Sequence, residues 1–192
     1  QRQMCIRDSL RDRLPGTSGN RSFSKKMILI SVTVLVGLGI LFWYANQLVV
    51  SINPEDGLPK QCFTAKRGEE WNIAFTHSVQ LTMVEEFFRV DGADDMVMTH
   101  TRYQSLGVGL PYSPAEGILT NTPDGKFILK MDRPYKTVKL RTAVQAKPRI
   151  IHKNKVYDLC DLYGQGTLVE IKAEKRYQYW LSLIHISEPT RH

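Results

Sequence analysis

The sequence predicts an all-β protein: a single antiparallel β-sandwich or barrel-like domain of about nine or ten short strands after one N-terminal transmembrane helix. Two observations predict this class. An uncharged apolar run occupies residues 27–50. Beyond it, short stretches of alternating apolar and polar residues are separated by turn residues, which is typical of half-buried strands.

The apolar run has the length and the flanks of a membrane anchor. A bilayer is crossed by about 20 apolar residues, and we assign residues 27–48 to the span. Trp43 and Tyr44 suit an interfacial aromatic belt, while Lys25 and Lys26 precede the run. The positive-inside bias therefore predicts a cytoplasmic N-terminus and a main domain outside the inner membrane, in the periplasm or at the cell surface.

A cleaved signal peptide is the competing interpretation, because a basic flank with an apolar core fits both. Ala45 follows two aromatic residues, which does not match a small-residue cleavage site, so we favour an uncleaved anchor. Before the span we expect a basic disordered flank at 10–26, and after it a linker at 49–59 and the β-domain at 60–180.

The strand pattern is clearest on both sides of a polar segment. In residues 71–77 the large apolar side chains fall on one face, which ends at His77. In residues 83–90, Val84, Glu86, Phe88 and Val90 share a face. Turns are expected at residues 91–92, 123–125 and 154, and the stretch beyond residue 50 shows no helical stripe of ten residues.

The charge distribution argues against nucleic-acid binding. The chain has a net charge of +7, but residues 46–180 carry 18 basic and 16 acidic side chains, a balance of only +2. Most of the excess lies in the N-terminal flank and the chain ends. A nucleic-acid-binding domain would cluster lysine and arginine on its folded surface, so we predict no nucleic-acid partner.

We place the candidate binding site in the segment that joins the two best strands and in a nearby glycine loop. Hydrogen-bonding and charged side chains are concentrated there, and loops commonly carry function. The candidates for contact with a ligand or partner are His77, Ser78, Thr82, Glu85, Glu86, Gly107, Gly109 and Pro111.

The same segment invites a catalytic interpretation, which its spacing does not favour. His77 and Ser78 are adjacent, and adjacent strand residues point to opposite faces. The chain lacks the G-x-S-x-G elbow of serine hydrolases. His77, His100 and His152 show no close metal-ligand spacing. We therefore predict no catalytic residue, no metal site and no cofactor.

Cys62 and Cys160 lie in the predicted extracytoplasmic domain, where disulfides persist. They either form a bridge or remain two separate buried thiols, and spacing alone does not decide between these states.

Three segments resemble a known family. They are F-T-H-S-V-x-x-T-x-V-E-E-x-F-R-V-D at 75–91, S-x-G-x-G-L-P at 105–111 and G-T-L-V-E-I at 166–171. Together they resemble the bacterial and archaeal family called domain of unknown function 1850. Members commonly have proline where this chain has Met83, which leaves the rigidity of the turn after Thr82 open. They commonly have alanine where this chain has Val108, which only slightly enlarges the glycine loop.

The resemblance implies an association with particular neighbouring genes rather than a particular chemical activity. Members are typically encoded beside tripartite ATP-independent periplasmic (TRAP) transporters of the TAXI type. The resemblance brings no catalytic residues. The expected function is thus a membrane-anchored accessory or binding module for the transporter permease and its substrate-binding protein. The alternatives are a cell-surface metal-dependent or Ser/His hydrolase, and a structural envelope domain.

Both chain ends resemble translated sequencing adapter. Residues 1–9 and 181–192 are similar to reading frames through the transposase adapter of short-read libraries. We expect these ends to be artefact, as in an environmental fragment. Cys5, His185 and His192 then drop out of any site.

Overall fold

The computed structural model describes residues 18–55, 57–104, 115 and 117–184, with side chains from residue 25 onward. The chain divides into two compact units, residues 1–42 and 43–192. In order, the elements are α1 Ser18–Ala45, β1 Leu48–Pro54, β2 Gln61–Thr64, β3 Glu70–Thr76, β4 Met83–Gly92, β5 Asp95–Tyr103, β6 Ile118–Asn121, β7 Phe127–Tyr135, β8 Thr137–Arg141, β9 Arg149–His152, β10 Lys155–Asp158, α2 Leu159–Tyr163, β11 Leu168–Lys175 and α3 Arg176–Ile184.

The first unit consists, within the described residues, of most of α1. Its segment Lys25–Ala45 is 21 residues long and apolar enough to cross a membrane. Length and composition fit a membrane span and a signal sequence alike. The predicted N-terminal apolar helix is therefore present.

The second unit is built from two antiparallel sheets, which confirms the predicted all-β class. A four-stranded sheet has the order β2-β1-β11-β8, and a seven-stranded sheet has the order β10-β9-β3-β4-β5-β7-β6. Both sheets contribute to one hydrophobic core: Ile52 and Ile171 from the first, Ile73 and Phe88 from the second. The described part of the chain contains eleven strands rather than nine or ten.

The alternation predicted for β4 is confirmed by burial. Val84, Phe88 and Val90 are fully buried, and the rings of Phe88 and Trp71 stack with centroids 4.8 Å apart. A buried, stacked aromatic pair of this kind contributes area and geometry to the core. This face of β3 and β4 is the inner face of the seven-stranded sheet.

The linker expected at 49–59, and an anchor that continues to residue 48, are wrong. Strand β1 begins at Leu48 and lies between β2 and β11, and Val49 and Val50 are both fully buried. Helix α3 contacts β1 and β11, so β1 is covered on both of its faces. A strand covered on both faces has a continuous run of apolar residues instead of alternating apolar and polar ones. In the sequence, β1 therefore cannot be distinguished from the end of the preceding apolar run.

Two of the three predicted turns are confirmed and one is shifted. Gly125 between β6 and β7, and Lys153 beside Asn154 between β9 and β10, have positive φ angles of 77° and 53°. The turn predicted at 91–92 falls instead after Gly92, where Asp94 has a φ of 53°. Residues 181–184 continue α3, while 1–9 and 185–192 lie outside the described residues; that both ends are artefact stays a prediction.

Candidate functional site

The segment between β3 and β4 forms a closed, hydrogen-bonded loop. The His77 N–H donates to the Thr82 carbonyl at 2.9 Å, and the Leu81 N–H donates to the His77 carbonyl at 2.8 Å. The His77 ring joins the same loop, because its Nδ1 accepts from the backbone N–H groups of Val79 and Gln80 at 3.3 and 3.2 Å. His77 therefore holds the loop in shape.

The loop presents apolar side chains to solvent rather than a polar cluster. Val79 and Leu81 are 73% and 74% exposed. Ser78 is also exposed, whereas the Thr82 hydroxyl is buried and has no hydrogen-bond partner among the described residues. Leu81 has a φ of 54°, an unusual left-handed conformation for a bulky residue. His77, Ser78 and Thr82 therefore lie in one loop, but their side chains do not form one polar cluster.

Glu85 and Glu86 are separated by the pleat of β4. Glu85 lies on the outer face, where its carboxylate pairs with Arg102 Nη1 of β5 at 3.3 Å. The Arg102 guanidinium also lies 5.3 Å from the centroid of the Phe87 ring. Glu85 is therefore a member of a surface ion pair, which typically adds little stability.

Glu86 stands on the inner face of β4, between the fully buried Val84 and Phe88. It faces a cleft of about 240 Å³, which we call the Glu86 cleft. The walls come from both sheets and from the segment before β9: Ile73, Phe75, Val138, Lys139, Leu140, Arg141, Ala146 and Pro148. No hydrogen bond or ion pair to Glu86 is found among the described residues, and burial raises the pKa of its carboxyl.

Two cations of the Glu86 cleft are held by other groups. Lys139 Nζ lies 3.5 Å from the Glu170 carboxylate, and Arg141 Nη1 donates to the Gly166 carbonyl at 2.6 Å. The carboxyl of Glu86 is thus a partly buried acid without a counter-charge among the described residues. Buried titratable groups in clefts are functional-site candidates, since their burial costs stability.

The glycine-loop candidates Gly107, Gly109 and Pro111 lie outside the described residues, so their assignment stays a prediction.

Two residues of the catalytic interpretation have other partners among the described residues. The Nδ1 of His77 is occupied by backbone amides, and Glu85 by Arg102. In ranges 18–55, 57–104 and 117–184, no three His, Cys, Asp or Glu side chains are placed to hold a metal ion together.

The disulfide alternative for Cys62 and Cys160 is not realised, because both are free thiols. Cys62 lies on β2. Cys160 is in α2, where its Sγ donates to the Ala143 carbonyl at 3.5 Å. The two cysteines therefore belong to different local environments.

A second cleft, of about 450 Å³, was not foreseen from the sequence. It lies where β2 and β10, the edge strands of the two sheets, come together, and we call it the Arg176 cleft. Its lining is Cys62, Phe63, Thr64, His152, Lys153, Asn154, Lys155, Tyr157 and Arg176. These residues come from three distant parts of the chain, so sequence spacing carried no signal for them.

A partly buried ion-pair cluster borders the Arg176 cleft. His152 is 5% exposed, and its Nε2 lies 2.6 Å from Glu69 Oε1, which also lies 2.6 Å from Lys153 Nζ. Burial would raise the pKa of Glu69, but hydrogen bonds from Lys153, the Lys66 N–H and His152 outweigh it and lower that pKa to about 2. Glu69 is therefore a strongly held carboxylate.

The fold defines a class: an all-β domain after an apolar helix, with open clefts that include the Glu86 cleft and the Arg176 cleft. The model of a family described as Domain of unknown function (DUF1850) matches residues 72–159. The match covers β3 to β10, including the β3–β4 loop and the Glu86 cleft, and supports the resemblance drawn from residues 75–91. No curated protein and no solved structure matches the chain.

Proposed function

We propose that this chain is a non-catalytic accessory or binding module, held at the membrane by α1 with its β-domain outside the cytoplasm, and associated with a TRAP transporter of the TAXI type. The observation that carries the binding role is Glu86, a carboxyl on the inner face of β4 in a cleft open to solvent. The transporter association rests on the family resemblance.

The chemistry of the Glu86 cleft selects a cationic group on an apolar stem. Burial disfavours the carboxylate, and an ammonium or guanidinium group placed beside it would restore the lost solvation. The apolar walls from Ile73, Phe75 and Leu140 fit an aliphatic stem. A lysine or arginine side chain of a transporter subunit has this composition, and it is the partner that we propose.

The neighbouring loop extends the contact surface. Thr76 and Met83, at the two ends of the loop, are paired residues of β3 and β4, and Phe75 beside them lines the cleft. Val79 and Leu81 can therefore add apolar contact to a partner that reaches Glu86. Desolvated anchors surrounded by apolar contacts are the usual centre of a protein interface.

Co-purification tests this proposal. The full-length chain is co-expressed with a TAXI-type permease and its substrate-binding protein, and each subunit is quantified in the detergent-extracted complex. Glu86→Gln should reduce recovery of the transporter subunits at least about tenfold, because it removes one partner of a desolvated charge pair. Glu85→Gln is the matched control and should leave recovery unchanged.

Two results would overturn the proposal. One is equal recovery of the transporter subunits with Glu86→Gln and with the unmodified chain. The other is hydrolytic turnover by the purified chain that is lost on His77→Ala, which would favour the enzymatic alternative. Metal analysis of the same preparation separates a metal-dependent enzyme from a metal-free one.

A further inference from the structure

The Arg176 cleft carries more positive charge than the described residues neutralise. Lys153 is paired with Glu69. In contrast, no carboxylate among the described residues lies within ion-pair distance of Lys155 or Arg176. Arg176 is bonded to neutral groups only, namely the Tyr44 hydroxyl, the Gln47 side-chain oxygen and the Thr64 hydroxyl.

Arg176 also has an unused hydrogen-bond donor. Its Nε is buried and has no hydrogen-bond partner among the described residues. A buried donor without a partner costs about 1 to 3 kcal/mol.

The cleft combines this charge with an aromatic floor. The Phe63 ring stacks on His152 and Tyr157 at centroid distances of 4.2 and 5.9 Å. The volume of about 450 Å³ lies in the range of small-molecule sites, roughly 300 to 1,000 Å³. Cations beside an apolar floor fit an anion carried on an apolar body.

Arg176 contacts Tyr44, a residue that lies next to the end of the candidate span in the chain. The guanidinium lies 4.2 Å from the centroid of the Tyr44 ring, and the candidate span ends at Ala45. If α1 crosses the bilayer, Arg176 lies close to the membrane surface, where phosphate headgroups are found.

We propose that the Arg176 cleft binds a phosphate-bearing amphiphile, its oxyanion held by Arg176 and Lys155 and its apolar part resting on Phe63 and Tyr157. Arginine and lysine are suited to phosphate, arginine by its fork of donors and lysine as a point charge. The site is separate from the Glu86 cleft. Only its lipid source rests on the membrane placement in the proposed function.

Thiol protection measures occupancy directly, because Cys62 lines the cleft and Cys160 does not. The full-length chain carrying Cys5→Ser is kept in neutral detergent at alkaline pH, since burial raises the pKa of the Cys62 thiol. Alkylation of each cysteine is followed by mass spectrometry. The probes are dihexanoyl phosphatidylglycerol, dihexanoyl phosphatidylcholine and glycerol 3-phosphate.

Phosphatidylglycerol should slow alkylation of Cys62 several-fold and saturably, and leave Cys160 unchanged. Lys155→Glu should weaken this protection at least about fivefold. Lys130→Glu, an identical charge change at another exposed lysine on β7, should not weaken it. Equal protection by glycerol 3-phosphate would support the anion site and identify a soluble phosphate as its source.

The proposal is overturned if no probe protects Cys62. It is also overturned if phosphatidylcholine protects Cys62 as well as phosphatidylglycerol does and Lys155→Glu weakens protection by neither lipid. The cleft would then bind apolar chains without discriminating between headgroup charges. Neither result bears on recovery of transporter subunits through Glu86, so the two proposals fail independently.

Discussion

Glu85 and Glu86 are neighbours in the chain, yet they lie on opposite faces of β4 and in opposite electrostatic environments. Glu85 has a cationic partner, Arg102, at 3.3 Å on the outer face. Glu86 faces the cleft between the sheets, and no counter-charge lies against it among the described residues. One carboxylate therefore has a charged partner and the other has none among the described residues, and the effect of this difference on stability can be measured.

Glu86→Gln is expected to stabilise the protein at neutral pH. Because the folded-state pKa of Glu86 is raised above its ordinary value of 4.5, ionisation at higher pH costs folding free energy. The gain of the variant should be full above the raised pKa and should vanish below about pH 4.5. Thermal unfolding of the full chain from pH 4 to pH 8 measures it.

Glu85→Gln is the control for this measurement. It removes the same charge but breaks a surface ion pair, so it should leave stability unchanged or lower it by at most about 1 kcal/mol. A Glu86→Gln variant that melts below the unmodified chain at pH 8 would show that the carboxylate is satisfied in the folded state.

Glu69 should give stability the opposite pH dependence. Its folded-state pKa, about 2, lies below its ordinary value of 4.5. Glu69 therefore adds stability that is fully present above about pH 4.5 and is lost as the pH falls toward 2. This shift corresponds to at most about 3 kcal/mol. Because the Lys153 side chain is 64% exposed, solvent screening reduces the expected contribution to about 2 kcal/mol.

Urea unfolding of the full chain in detergent between pH 2 and pH 7 tests the Glu69 prediction. Glu69→Gln should be about 2 kcal/mol less stable at pH 7, and the difference should shrink below pH 4.5. A constant difference across this range would mean that Glu69 stabilises the fold by packing alone.

Local alternation predicted the inner and outer faces of the best strands, because burial on one face imposes a period of two on the sequence. Placing Glu86 with Val84 and Phe88 followed directly from that period. Strand β1 could not be recognised in the same way. It is covered on both faces, and its apolar residues merge with those of α1.

The Arg176 cleft could not be predicted from the sequence, for a different reason. Cys62, Tyr157 and Arg176 meet because two edge strands from different sheets come together, and one sequence contains no information on which strands pair. The same gap left the disulfide question open. Cys62 lies on β2 and Cys160 in α2, so the fold gives the two cysteines different neighbours.

Leu81 offers a test of the β3–β4 loop. Its left-handed backbone, with φ of 54°, is unfavourable for a leucine but tolerated by asparagine. Leu81→Asn should raise the free energy of unfolding by about 0.5 to 1 kcal/mol. Val79→Asn is the matched control, since Val79 is equally exposed and is not among the described residues with positive φ; it should have little effect.

The same pair separates folding from binding. If Val79 and Leu81 contact a partner, both variants should weaken transporter recovery although only one changes stability. A Leu81→Asn variant that is less stable than the unmodified chain would show that the leucine side chain packs in the loop.

Gly117 should be intolerant of any side chain. A Cβ at this position would overlap the carbonyl oxygen of Lys130 on β7, a backbone atom that cannot move without disturbing the pairing of β6 and β7. Gly117→Ala should therefore cost about 2 kcal/mol or more. At Gly92 the nearest atom to an added Cβ is the Asp95 Cβ at 3.6 Å, an ordinary contact, so Gly92→Ala should cost less than about 1 kcal/mol. Chemical denaturation of both variants decides; equal losses would contradict the steric account.

The apolar helix is tested by mass and by orientation. An uncleaved anchor predicts that the chain recovered from membranes keeps Lys25–Ala45 in its intact mass, whereas a signal peptide predicts its loss. In the proposed orientation, with the N-terminus held inside by the lysines at 25 and 26, a membrane-impermeant thiol reagent added to intact spheroplasts should label Cys160. Replacing both lysines with glutamate should reduce that labelling by weakening the orientation. Replacing Lys136 and Lys139 instead, far beyond the span, should not, because positive charges set the orientation from positions close to the membrane.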